Sequence, residues 1–168
     1  MNKKLEELQD IENLIREKIP EKERVTMMGR VMSRMMSSIT KHVIKYSGHS
    51  IATKIMAREL RDIGKSDAKT IKEIFDLDNS PESVSKVLKI AAVILGLELD
   101  VVEDETVIKN CPQGNEALAL RQPLLCNFCL EYNNGIVEEM LGKNFYIERI
   151  NWIFKGNNYC AFKLKKRE

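Results

Sequence analysis

The stretch NFYIERINWIFKGNNYCAFKLKK, residues 144–166, decides the fold. Two runs of alternating apolar and polar residues flank Gly156, Asn157 and Asn158, and such a turn between alternating runs predicts an antiparallel hairpin. In the second run Lys163 and Lys165 alternate with Phe162 and Leu164, so the even positions, Cys160 among them, are expected to face inward. By the same parity Ile150, Trp152 and Phe154 are expected to share one side of the first strand. Just upstream, LLCNFCLEYNNGIVEEML (124–141) reads as a helix opened by Pro123 and closed by Gly142.

Working outward, LELDVVEDETVIKN (97–110) holds two short β-rich runs around an acidic turn from Glu103 to Glu105, a second strand pair. CPQGNEALALRQ (111–122) reads as a loop with one turn of helix. SPESVSKVLKIAAVILGL (80–97) begins with Ser80 as N-cap, Pro81 in the first turn and acidic Glu82, and its helix is expected to run to Gly96. DAKTIKEIFDLD (67–78) is a short amphipathic piece, and SGHSIATKIMARELRDIG (47–64) predicts a helix stopped by Gly64. Residues 21–46 predict a long helix whose stripe of Met28, Val31, Met32, Met35, Met36, Ile39, Val43 and Ile44 is expected in the core. The fold class is therefore α+β: an antiparallel sheet of about four strands backed by five to six helices, without the βαβ alternation of a parallel sheet.

Residues 1–20 stand apart from a main domain over 21–168. Leu5, Leu8, Ile11, Leu14 and Ile15 recur at helical spacing before Pro20, which predicts an amphipathic helix that packs on its own domain or serves as a dimer arm.

Composition narrows the function. With 168 residues, 43% hydrophobic and 31% charged, one core suffices without disulfides. A formal charge of +2, spread along the chain, gives no basic patch for direct nucleic-acid binding. The N-terminus lacks a signal-peptide core and the longest apolar run, IAAVILGL (90–97), is too short to span a bilayer, so a cytoplasmic location is expected. In that reducing compartment the four cysteines are free thiols, metal ligands or redox groups rather than structural disulfides.

Cys126 and Cys129 sit three apart in the first turns of a helix, so their thiols emerge on one face. Cys160 opens the last strand and Cys111 follows the second, and a helix laid across the sheet would bring all four together. Four thiolates suit zinc, and less readily an iron–sulfur cluster. Against this stand two other readings, inert core filling and thiol redox chemistry; the second loses ground because no βαβ context surrounds the C-x-x-C.

Cys126, Gly135, Gly142 and then Gly156, Cys160 and Phe162 together resemble the 4-vinyl reductase or hydrocarbon-binding domain family, over roughly residues 25–165. The resemblance implies archaeal- and bacterial-type small-molecule binding, as in sensor domains of aromatic-responsive regulators. It also implies a fold shared with vesicle-transport-particle subunits and nitric-oxide-sensing domains, an internal apolar pocket, frequent homodimers and a structural zinc. Cys126 and Cys160 match two zinc ligands of the family. Its third cysteine falls on Trp152 and its carboxylate ligand on Arg149, so Cys111 and Cys129 are the available replacements and Glu148 a weaker one.

Three functions follow as expectations. The first is a module for an apolar or aromatic small molecule, held by Met32, Met36, Tyr132, Trp152 and Phe154. The second is a reductase acting on a vinyl group, for which an external donor would supply electrons, since no nicotinamide or flavin motif occurs. The third is a dimeric interaction scaffold. His42 and His49, separated by Gly48, are read as surface or core residues without a catalytic role.

Overall fold

A computed structural model describes residues 18–102, 105–109 and 111–167. The predicted helix at residues 1–20 lies almost wholly outside them. Helix α1 (Glu21–Ser47) breaks at Gly48 and gives way to α2 (His49–Phe75); α3 spans Pro81–Ile94. Strands β1 (Glu98–Val102) and β2 (Glu105–Lys109) follow, then α4 (Pro112–Ala119), α5 (Leu124–Leu141), β3 (Phe145–Asn151), a 3-10 turn (Ile153–Lys155) and β4 (Cys160–Lys166). The strands form one antiparallel sheet in the order β1-β2-β4-β3. This is the α+β architecture expected.

Local chemistry accounts for the ends of α3. The Ser80 hydroxyl accepts from the Ser83 amide at 3.2 Å, Pro81 occupies the first turn, and Glu82 adds a carboxylate at the positive end of the dipole. At the other end Gly96 adopts φ +69, and the bonds Leu97 N–H to Ala92 C=O and Gly96 N–H to Val93 C=O close a Schellman motif. CPQGNEALALRQ holds a full eight-residue helix rather than a single turn, and Cys111 is its N-cap.

Helix α5 is the central element. One side packs against α2, the other against β3, and its residues Ile136, Val137 and Met140 join Val84, Val87 and Leu88 of α3 and Ile108, Ile147 and Phe162 of the sheet in the main core. Gly64 does not end the third predicted helix. Instead α2 continues through it to Phe75, and Gly64 meets Gly135 where α2 crosses α5. A Cβ built on Gly64 would lie 2.1 Å from the Tyr132 carbonyl oxygen, and one on Gly135 would lie 2.1 Å from that of Arg61. Only two glycines permit this approach.

The α1 stripe also departs from expectation. Met28, Val31, Met32, Met35 and Ile39 are each more than half exposed, as is Met27. The residues of α1 that turn to the domain are Ser37 and Thr40, both buried, with Met36 and Ile44 half-buried against a second cluster of Ala117, Leu124, Leu125, Cys126 and Phe128. The Ser37 hydroxyl donates to Gln122 Oε1 at 2.6 Å, and the Thr40 hydroxyl donates to the Met36 carbonyl at 2.7 Å. The apolar surface of α1 is wider than the face this domain can cover, and hydrogen bonding decides which edge is taken.

Candidate functional site

The sheet and helix starts bring the four cysteines into one region between the two core clusters. Cys111 at the start of α4 and Cys160 at the start of β4 are buried in or against the main core, and Cys126 in the first turn of α5 is buried in the second cluster. Cys129 is part exposed as a residue while its sulfur is enclosed. The thiols sense one another: ionising Cys111 is disfavoured by Cys160 and Cys126, and ionising Cys129 by all three others.

Burial dominates their titration. It pushes Cys111 up to about 11 and raises Cys126, Cys129 and Cys160 as well. Without metal all four are therefore neutral thiols at physiological pH. Because the folded pKa of Cys111 lies above its ordinary 9.0, its contribution to stability is complete below pH 9 and disappears as the pH climbs toward about 11. Metal-free protein should accordingly lose stability over that alkaline window in urea titrations; a flat profile would contradict this.

Opposing burial is a set of donors aimed at sulfur. Gly114 N–H donates to Cys111 Sγ at 3.2 Å and Ile153 N–H to Cys160 Sγ at 3.5 Å, while Asn133 Nδ2 lies 3.9 Å from Cys129 Sγ. The Trp152 indole N–H is buried with no acceptor in hydrogen-bonding geometry, yet it lies close enough to Cys126 to favour the thiolate. Arg149 favours the ionised form of Cys126, Cys129 and Cys160. Donors of this kind gain most from thiolates, the form that binds metal. Among the described residues no three His, Cys, Asp or Glu side chains are grouped, as they stand, so as to hold a metal ion.

Two positions at which the resemblance calls for a carboxylate and a cysteine carry instead a stacked pair. The Arg149 guanidinium lies 4.6 Å from the Trp152 ring centre and 5.9 Å from that of Phe162. Arg149 also donates to the Cys126 carbonyl and to Asn127 Oδ1. Glu148 plays no part in this cluster: it is exposed and pairs with Lys165 at 3.6 Å.

The aromatic residues expected at a ligand site separate. Trp152 and Phe154 do not lie on a strand with Ile150, because β3 ends at Asn151, just past a register shift between Arg149 and Asn151, and residues 153–155 form the 3-10 turn. Their rings still meet, with centres 5.5 Å apart, and they pack with Met36 on the second cluster. Tyr132 sits against the main core, donates to Asp67 at 2.9 Å and has its pKa raised by burial. Met32 faces outward from α1.

An apolar cleft that the sequence reading missed lies between α3 and the inner sheet face. Its volume is about 290 Å³, and Val84 and Leu88 of α3 face one residue from every strand: Val101, Thr106, Ile147 and Leu164. Cross-strand pairing of Val101 with Thr106 and of Ile147 with Leu164 sets this floor. The hydroxyls of Thr106 and of Ser85, which also lines the cleft, are its polar groups. The inward positions of the Ser80 helix and strand parity place its lining residues on facing surfaces, but neither shows that a space opens between them.

No family model and no curated protein matches this sequence. Among solved structures, the phenol-responsive sensory domain of the transcription activator PoxR, solved with phenol, superposes with a TM-score of 0.63 at 15% identity, over 80% of this chain and 74% of that one. The chain shares that fold. A trafficking protein particle complex subunit 3 from Naegleria fowleri, covalently bound to palmitic acid, superposes at 0.61 and 13% identity, over 84% and 96%. A vinyl-4-reductase family protein from Methanocaldococcus jannaschii gives a TM-score of 0.46 at 16% identity, over 82% of this chain and 80% of that one. Among the described residues no helix is long and apolar enough to cross a membrane.

Proposed function

We propose that the protein is a binding module, of sensor or carrier type, for a small apolar or aromatic molecule. The cleft between α3 and the sheet carries this reading: it is lined mainly by aliphatic side chains, with two hydroxyls to orient a ligand. An apolar cavity of about 150 Å³ accepts benzene, so this cleft has room for a substituted ring. Ligand-bound proteins of the same fold, one with phenol and one with palmitic acid, support the class of ligand without naming it. Val101→Trp, at a half-exposed position on the cleft wall, should fill the cleft and abolish calorimetric binding of toluene or phenol while the fold persists. Undiminished binding in that variant would move the site elsewhere.

Within this reading Cys111, Cys126, Cys129 and Cys160 would hold a structural zinc, which would tie the β3–β4 connection to the starts of α4 and α5. The N–H donors on the sulfurs and the Arg149 charge are the features that fit four thiolates around a divalent cation, a centre that carries net negative charge. Zinc there supplies crosslinking only.

The exposed face of α1 favours a homodimer as the working form. Met28, Met32, Met35 and Ile39, each more than half exposed, recur at spacings of four, three and four and so line one face of α1, an apolar stripe of the kind that marks interaction surfaces. Met32→Asp should convert dimer to monomer in sedimentation velocity with little loss of stability. A wild-type chain that already sediments as a monomer would contradict this.

A further inference from the structure

A second cleft, independent of the apolar one, lies beside the α2–α5 crossing and the start of β3. Its volume is about 330 Å³, and Arg58, Arg61 and Lys65 on α2 and Lys143 and Arg167 across from them bring five cations to it. The α2 residues share one helix face by their spacing of three and four. Three carboxylates lie among them, two on α5 committed to the inner cations and one, Asp62, on α2 itself. Glu131 takes Arg61, Nε at 2.9 Å, and Glu138 takes Lys65 at 2.9 Å. Asp62 stands 4.0 Å from Arg58 and 3.9 Å from Lys65, at the limit of pairing.

Lys143 and Arg167 have no carboxylate at ion-pair distance among the described residues. The cleft is also built. The Gly64–Gly135 crossing fixes α2 against α5, Asn134 Oδ1 accepts the Ile147 amide at 2.8 Å and ties α5 to β3, and the Arg167 amide donates to the Asn144 carbonyl at 2.7 Å. The Arg167 guanidinium lies 5.7 Å from the Tyr146 ring centre, which orients it at the rim.

We infer that this cleft binds a phosphate monoester, with Arg58, Lys143 and Arg167 receiving the dianion while Arg61 and Lys65 are held in place by Glu131 and Glu138. Two unmatched charges remain after the internal pairs are formed, and a dianion matches them. The three receiving residues stand on both walls, so a ligand would bridge α2 to the C-terminal strand pair. The phosphate could belong to a free metabolite or to a lipid headgroup; the chemistry recognised is the same.

The test is amide-shift titration of the full chain with glycerol 3-phosphate, alongside flotation with phosphatidylcholine vesicles prepared with and without phosphatidic acid. The double variant Lys143→Gln/Arg167→Gln serves as control; both side chains are exposed, and an unchanged urea midpoint confirms its fold. Saturable shifts at residues 58–65 and 143–146, weakened about tenfold or more in the variant and by added salt, support a free phosphate ligand. Retention only on phosphatidic acid vesicles, lost in the variant, supports a headgroup. Absence of binding to either probe, or equal binding by wild type and variant, overturns the inference.

Discussion

Gly135→Ala is expected to cost about 3–4 kcal/mol of stability, a large share of what a domain of this size holds. The new methyl would have to occupy space 2.1 Å from the Arg61 carbonyl oxygen, and that oxygen belongs to a helix that cannot move without lifting the whole α2–α5 contact. Alanine gains about 1 kcal/mol over glycine in helix propensity. Separating two well-packed helices costs at least ~3–4 kcal/mol, against a total stability of about 5–15 kcal/mol. The steric term wins. Gly64→Ala should behave alike, with its Cβ 2.1 Å from the Tyr132 carbonyl oxygen. Urea denaturation followed by circular dichroism checks both; variants within about 0.5 kcal/mol of wild type would mean that the helices do not cross at these glycines.

The second large effect concerns the thiols. Cys126→Ser and Cys160→Ser are each expected to reduce bound zinc from one per chain to none and to lower Tm by about 10 °C, since breaking a metal-held closure costs several kcal/mol and each is worth about 2–4 °C in a chain of this size. Native mass spectrometry gives the metal content and differential scanning calorimetry the Tm. The two readouts must fall together. Wild type without metal, and variants with an unchanged Tm, would return the cysteines to small apolar core groups.

Elements governed by neighbours in sequence were legible from sequence. The Ser80–Pro81–Glu82 start of α3, the pairing of β1 with β2 and the Pro123-to-Gly142 helix all depend on a few adjacent residues, and all stand where expected; residues 103–104 of the acidic turn lie outside the described residues. Gly64 misled because its role is set by Gly135, far along the chain, and a glycine that ends a helix looks the same in sequence as one that lets another helix approach. The α1 stripe misled for a related reason. Periodicity identifies an apolar helix face but not which edge of a broad face the domain buries, and the Ser37–Gln122 hydrogen bond that chooses the edge joins distant residues. Trp152 and Phe154 were assigned by strand parity, which lapses where β3 ends at Asn151, just past the shift at Arg149–Asn151.

The candidate site was legible in part. The inward direction of Cys160 follows from strand alternation, and helical spacing places Cys126 and Cys129 on one helix. That Arg149 and Trp152 would stack beside the thiols could not be read from sequence, because their contact depends on the bulge that brings the end of β3 over the start of α5. The apolar cleft was hidden for a simpler reason: Val84, Leu88, Ile147 and Leu164 look like any other core residues until a space opens between them.

The most direct test of the binding-module account is a methyl-labelled NMR titration of the wild-type chain with toluene. Saturable shifts concentrated on the methyls of Val84, Leu88, Val101, Ile147 and Leu164 are the expected result. Saturable shifts centred on other methyls, or no saturable shift up to the solubility limit of the ligand, would contradict it.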